Sequence, residues 1–148
     1  MNRIYLAGPL FCAGEKAYNE KITNILERAG YDVFLPQRDG VIAAEMEGKS
    51  AEQKVKIVFD KDTGAIEKSD ILFFVLDGRV PDDGACVELG MAYAMGKRCY
   101  GLRTDVRALE DGMPLNPLIA GCFIRVFDDP DGEKALAELE DYLSNNAL

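Results

Sequence analysis

Apolar and polar positions along the chain fall into two alternating rhythms. Short, nearly continuous apolar runs recur at Arg3–Ala7, Tyr31–Leu35, Ile71–Leu76, Cys99–Leu102 and Phe123–Phe127. Runs this short read as strands, and the unbroken Ile71–Leu76 run suits a central parallel strand covered on both faces. Between them the spacing becomes helical. Glu15 to Ala29 carries Tyr18, Ile22, Ile25, Leu26 and Ala29 on one face, and Gly30 stops it. After a polar stretch, Gln37 to Lys49, a second helix starts at Ser50 with Gln53 three residues on, a capping-box arrangement. A third runs from Gly84 to Met95 and ends at Gly96. The last, Glu133 to Asn146, gathers Leu136, Leu139, Tyr142 and Leu143 on one side.

Five strands separated by helices predict an α/β fold, a three-layer sandwich around a five-stranded parallel sheet with right-handed crossovers. The expected strand order is the flavodoxin-like 2-1-3-4-5. In that order a crevice opens at the carboxyl ends of strands one and three, flanked here by Gly8–Gly14 and Asp77–Asp83. No internal repeat or low-complexity tract interrupts the pattern, and residues 1–148 are read as one domain.

Composition narrows the chemistry. The chain has 148 residues, a formal charge of −9 and no histidine. The missing histidine removes serine–histidine–aspartate triads, cysteine–histidine dyads and histidine-based zinc sites. The acidic balance, with Lys97-Arg98 as the longest basic cluster, argues against a nucleic-acid polymer as partner. No apolar run is long enough to span a membrane. Cys12, Cys86, Cys99 and Cys122 are widely spaced, without a paired-cysteine metal or redox motif, and read as reduced thiols of a cytoplasmic protein.

Acid–base or nucleophilic work must then come from Asp, Glu, Cys, Tyr, Lys or a cofactor, and the placement of the carboxylates is informative. Glu88 interrupts Gly84–Met95, a helix apolar nearly all round and so expected to be buried. With Gly84, Ala85, Met91 and Ala92 as turn neighbours and no cation beside it, this carboxylate is costly unless used. Asp62 shares a helical stripe with Val55, Phe59 and Ile66, whereas Asp60 points the other way. Of Asp82 and Asp83, one is expected to cap the helix that starts at Gly84, and the other to project above Glu88. Several carboxylates around one cleft, without metal-ligand spacing, suggest glycosyl chemistry in which one acts as nucleophile and another handles the leaving group's proton.

The loop Gly8–Gly14 holds no Ser or Thr and only widely spaced glycines, so a phosphate cradle is not expected there. Tyr5 and Phe11, in the first strand and the loop after it, have core packing as their default role. The connection Arg103–Cys122 is long, as functional or interface loops are, and its Pro114-Leu115-Asn116-Pro117 turn would hold Asn116 in place.

Taken in order, Tyr5-Leu6-Ala7-Gly8-Pro9-Leu10-Phe11, Asp62, the block from Asp82-Asp83-Gly84 through Glu88-Leu89-Gly90, and Pro114-Leu115-Asn116 resemble the nucleoside 2-deoxyribosyltransferase family. The resemblance covers nearly the whole chain, and the Asp82–Gly90 block is its most specific part. It implies transfer of 2-deoxyribose between nucleobases with net retention, through a covalent deoxyribosyl–enzyme intermediate and without cofactor or metal. By motif match Glu88 takes the nucleophile's place and Tyr5 supplies the hydroxyl that orients it. Asp62 and Asp82 match the acids that bind and protonate the base, and Asn116 matches an asparagine contributed by a neighbouring subunit. The resemblance thus implies a homo-oligomer with shared sites, acting on 2′-deoxynucleosides and free nucleobases. Phe11, Gly84 and Met91 are placed against the substrate, and Arg38 and Asp39 against the base. Family members with a terminal aromatic residue send its carboxylate into a neighbour's site, a role not carried to Leu148. Two alternatives stay open. A deoxynucleoside 5′-monophosphate N-glycosidase would hydrolyse instead, and a non-catalytic nucleoside-binding module would keep the pocket without needing Glu88.

Overall fold

Parallel pairing of five strands organises the computed structural model, which describes residues 1–107 and 112–148. In chain order the elements are β1 (Arg3–Ala7), α1 (Ala13–Arg28), β2 (Asp32–Phe34), α2 (Pro36–Asp39), α3 (Ala43–Met46) and α4 (Ala51–Glu67). They continue with β3 (Ile71–Val75), α5 (Asp83–Ala94), β4 (Arg98–Arg103), α6 (Pro117–Ala120), β5 (Arg125–Asp128) and α7 (Gly132–Asn145). The sheet order is β2-β1-β3-β4-β5, all parallel, as the alternation of elements predicts.

Alternation within the strands divides the core into two layers. Ile4, Leu6, Val33, Ile71, Phe73, Val75, Leu102 and Phe127 pack on one face of the sheet with Ile22 and Leu26 of α1 and Leu136 and Leu139 of α7. Tyr5, Ala7, Phe34, Leu72, Phe74 and Cys99 face the other way, against Ile66 of α4 and Ala85, Leu89 and Ala92 of α5. Register sets Tyr5 beside Phe34 of β2 and Leu72 of β3. At the end of β1 the chain turns so close to β3 that a Cβ on Gly8 would lie 2.9 Å from Val75 Cβ, and its φ of +151° also favours glycine.

The helix starts follow local chemistry. Ser50 Oγ accepts from the Gln53 N–H at 3.2 Å while Gln53 Oε1 accepts from the Ser50 N–H at 2.9 Å, completing the box expected from sequence. The stretch Gln37–Lys49, read as a polar connection, contains α2 and α3, each too short to show helical periodicity. The long connection after Arg103 likewise contains α6, while residues 108–111 of it lie outside those described. A larger correction concerns α5. Its apolar circumference predicts a buried helix, yet Val87, Tyr93 and Met95 are exposed, Val87 by 57%. Only the side carrying Ala85, Leu89 and Ala92 meets the sheet, because a three-layer sandwich covers one face of each outer helix. Among the described residues no helix is long and apolar enough to cross a membrane.

Candidate active site

With Ala85, Leu89 and Ala92 turned to the sheet, Glu88 looks into a cavity of about 540 Å³ between α4 and α5. Its walls are Val55, Val58, Phe59 and Ile66 of α4, Val87 and Met91 of α5 and Met46 of α3. Asp62, Thr63, Gly84 and Lys54 complete the lining. The Tyr5 hydroxyl donates to Glu88 Oε1 at 2.7 Å, joining β1 to α5 beneath this cavity.

Burial sets the electrostatics. It pushes the Glu88 carboxyl up to about 7, the Tyr5 hydrogen bond opposing and the Asp62 and Asp82 charges adding to the rise. Burial also drives the Tyr5 phenol far above its ordinary value, assisted by the Glu88 and Asp62 charges, so Tyr5 stays protonated and can only donate to the carboxylate. Asp62 is raised too, by burial, with Lys61 opposing. A carboxyl whose proton affinity is raised in an apolar cavity is better suited than an exposed one to protonate a leaving group.

Asp82 is the residue that caps α5. Its Oδ2 accepts from the Ala85 N–H at 2.9 Å, which anchors the carboxylate at the helix start and leaves its charge close enough to raise Glu88. Asp83 instead accepts from the Gly84 N–H and lines a second cavity, about 320 Å³, on the other side of α5. Asn116 also lines that second cavity, where its Oδ1 caps α6 by accepting from the Leu118 N–H at 2.9 Å. Within one chain, Asn116 and Glu88 therefore face different cavities.

Several sequence-derived candidates lie apart from the Glu88 cavity. Phe11 is 76% exposed and is absent from the cavity's walls, while its N–H donates to Glu15 Oε2 at 2.7 Å. Arg38 donates to the Val33 carbonyl at 2.6 Å and to Glu27 at 2.8 Å, and pairs with Asp39. Asp39 in turn accepts from the Leu35 N–H at 2.9 Å, so the pair braces the turn after β2 and does not line the cavity. Burial raises Asp39, but the bonds from Arg38 and Leu35 outweigh it and hold the carboxyl below its ordinary value. Sequence reasoning passed over Met46, Lys54, Val58 and Val87, which the cavity uses. Val58 and Lys54 could have been found from their helical spacing to Asp62, whereas Met46 carries no comparable signal. Among the described residues, no group of three or more cysteine or carboxylate side chains is placed to hold a metal ion.

The family model described as Nucleoside 2-deoxyribosyltransferase matches residues 4–138. A 2-deoxyribosyltransferase from Bacillus psychrosaccharolyticus superposes with a TM-score of 0.74 at 28% identity, covering 95% of this chain and 91% of that one. A conserved protein from Enterococcus faecalis V583 gives the same TM-score, 0.74, and identity, 28%, over 95% of this chain and 98% of its own. A CMP N-glycosidase from Clostridium botulinum shares the fold at a TM-score of 0.64 and 24% identity, over 95% of this chain and 99% of that one. A search of the curated proteins finds no match.

Proposed function

The chain belongs to the nucleoside 2-deoxyribosyltransferase family, and on that premise we propose that it moves 2-deoxyribose between nucleobases by two displacements through Glu88. The observation that carries this reading is a carboxylate at the floor of an apolar cavity, held by a phenol that can only donate. In the first step Glu88 attacks the anomeric carbon. The N-glycosidic bond breaks, its electron pair leaves with the base nitrogen, and the base is protonated from Asp62. In the second step an incoming base gives a proton back, attacks the same carbon and frees Glu88. Two inversions give net retention.

Transfer, not hydrolysis, is the outcome the walls favour. Val58, Phe59, Val87 and Met91 offer apolar walls against which a base packs, displacing water. The rival hydrolase on 5′-monophosphates would need a phosphate cradle. The β1–α1 loop lacks hydroxyl side chains, and Glu15 already takes its Phe11 and Cys12 N–H groups.

The site is completed by a second copy of the chain. Val55, Phe59 and Val87 at the cavity mouth are 70%, 55% and 57% exposed, a patch that a neighbour would cover. Asn116 lines a different cavity from the Glu88 of its own chain, which is consistent with its serving a neighbour's site. The deciding experiment incubates the protein with deoxyadenosine and increasing free cytosine and separates the products. Deoxycytidine should dominate at millimolar acceptor. Dominant release of free deoxyribose would turn the reading to an N-glycosidase, and no turnover at all to a nucleoside-binding module.

A further inference from the structure

We infer that Phe34 is a positioning residue for the Tyr5–Glu88 pair, keeping the phenol from swinging toward the sheet edge so that its hydroxyl stays on the carboxylate. The inference rests on the proposed role of Glu88 as nucleophile.

Tyr5 is fully buried, and its ring is flanked from the two neighbouring strands by unlike side chains. On the sheet's interior side Leu72 of β3 stands in register with it, and on the edge side stands Phe34 of β2. β2 is a three-residue edge strand with no further strand beyond it among the described residues, and Phe34 stands on that side of Tyr5. The Tyr5 and Phe34 ring centroids lie 5.4 Å apart with planes inclined by only 15°, a stacked contact. Phe34 is itself held in place. It is 6% exposed, and the Arg3 guanidinium sits 5.9 Å from its ring centroid, with Arg3 paired to Asp32 on the same strand as Phe34.

Leverage makes this contact matter. A tyrosine oxygen sits roughly 6 Å from its Cα, so a swing of about 10° displaces it by about 1 Å and takes a short hydrogen bond out of range. The 2.7 Å contact with Glu88 leaves no such slack. A residue that merely filled volume beside Tyr5 would stabilise the fold. A flat ring stacked on the phenol also blocks its swing toward the sheet edge.

The test reads Glu88 directly, by carboxyl carbon NMR titration, and kinetics in parallel. The groups facing Glu88 are Tyr5 from β1, Asp62 from α4 and Asp82 at the start of α5, with Lys54 also lining the cavity. Phe34→Met keeps the bulk and removes the ring. It should move the Glu88 midpoint to higher pH, in the same direction as Tyr5→Phe and by at least half as much. The same variant should lower kcat about tenfold with KM within twofold, and Phe34→Tyr should restore both. In a Tyr5→Phe background, Phe34→Met should add nothing further. Phe34→Leu serves the same comparison if the methionine variant does not fold. A Glu88 midpoint unchanged in both ring-less variants overturns the inference, as does a shift additive to that of Tyr5→Phe. An unchanged midpoint in Tyr5→Phe itself also overturns it, since the bond to be positioned would then carry no weight. Because the titration needs no turnover, a chain that titrates as expected but transfers no sugar overturns the transferase reading alone.

Discussion

Tyr5 and Glu88, 83 residues apart in sequence, share a 2.7 Å hydrogen bond in which the phenol is the donor. The bond does two things for a nucleophile. It stabilises the carboxylate against burial, which otherwise favours the neutral acid, and it holds one carboxylate oxygen in place. The balance leaves Glu88 at about 7, poised between the two forms near neutral pH.

The pH profile of transfer should show that balance. Glu88 must be ionised to attack, so the acid limb of kcat/KM for the first displacement should lie near 7, with a basic limb where the leaving-group acid, Asp62, gives up its proton. Tyr5→Phe removes the one contact that lowers Glu88, so the acid limb should move to higher pH. A limb that stays in place, or moves to lower pH, would show that another group limits the rate.

Replacing Glu88 by Gln should abolish transfer, by at least on the order of 10³-fold, while the fold persists. Mass spectrometry of the unaltered chain with a slow 2′-fluoro nucleoside should find a sugar adduct on Glu88. An adduct on another residue would refute its assignment.

The same substitution should stabilise the chain, with a definite pH dependence. Folded Glu88 binds its proton more tightly than the unfolded chain, whose ordinary value is 4.5, so stability falls as pH rises from about 4.5 to about 7. Glu88→Gln escapes that loss. Its gain over the unaltered chain should be on the order of 1–3 kcal/mol near pH 8 and vanish near pH 4, as measured by urea unfolding. Equal gains at both pH values would mean that burial of the charge is not the cause.

Asp62→Asn should slow transfer by roughly 10²–10⁴-fold, the usual cost of losing a proton donor. The loss should shrink for nucleosides whose base leaves readily without a proton. A loss independent of the leaving base would mark Asp62 as a binding group only.

Mixing Glu88→Gln chains with Asn116→Ala chains, each inactive alone, should recover part of the activity, because hybrid assemblies would contain one intact site. Sedimentation should show a species larger than one chain. Full activity from a strictly monomeric protein would rule out shared sites.

Much of this was legible before the fold was known. Short apolar runs suit strands, and the unbroken Ile71–Leu76 run a central one covered on both faces, so five such runs with helices between pointed to the parallel sheet. Capping chemistry acts within a few residues, and Ser50 with Gln53 therefore announced where α4 begins. Glu88 stood out because a lone carboxylate in a helix expected to be buried is costly unless it is used. Tertiary structure decided what depends on partners far along the chain. Arg38 and Asp39, plausible as base contacts on paper, are occupied by each other and by Glu27, Val33 and Leu35. Asp82 rather than Asp83 caps α5, a choice between neighbours of identical chemistry that only backbone direction can make. Phe34 reads as ordinary core until register sets it against Tyr5. Helical and strand periods record which face of an element is apolar. Which side chain that face meets is settled only when distant segments pack, since the contact energy belongs to the pair and not to either segment.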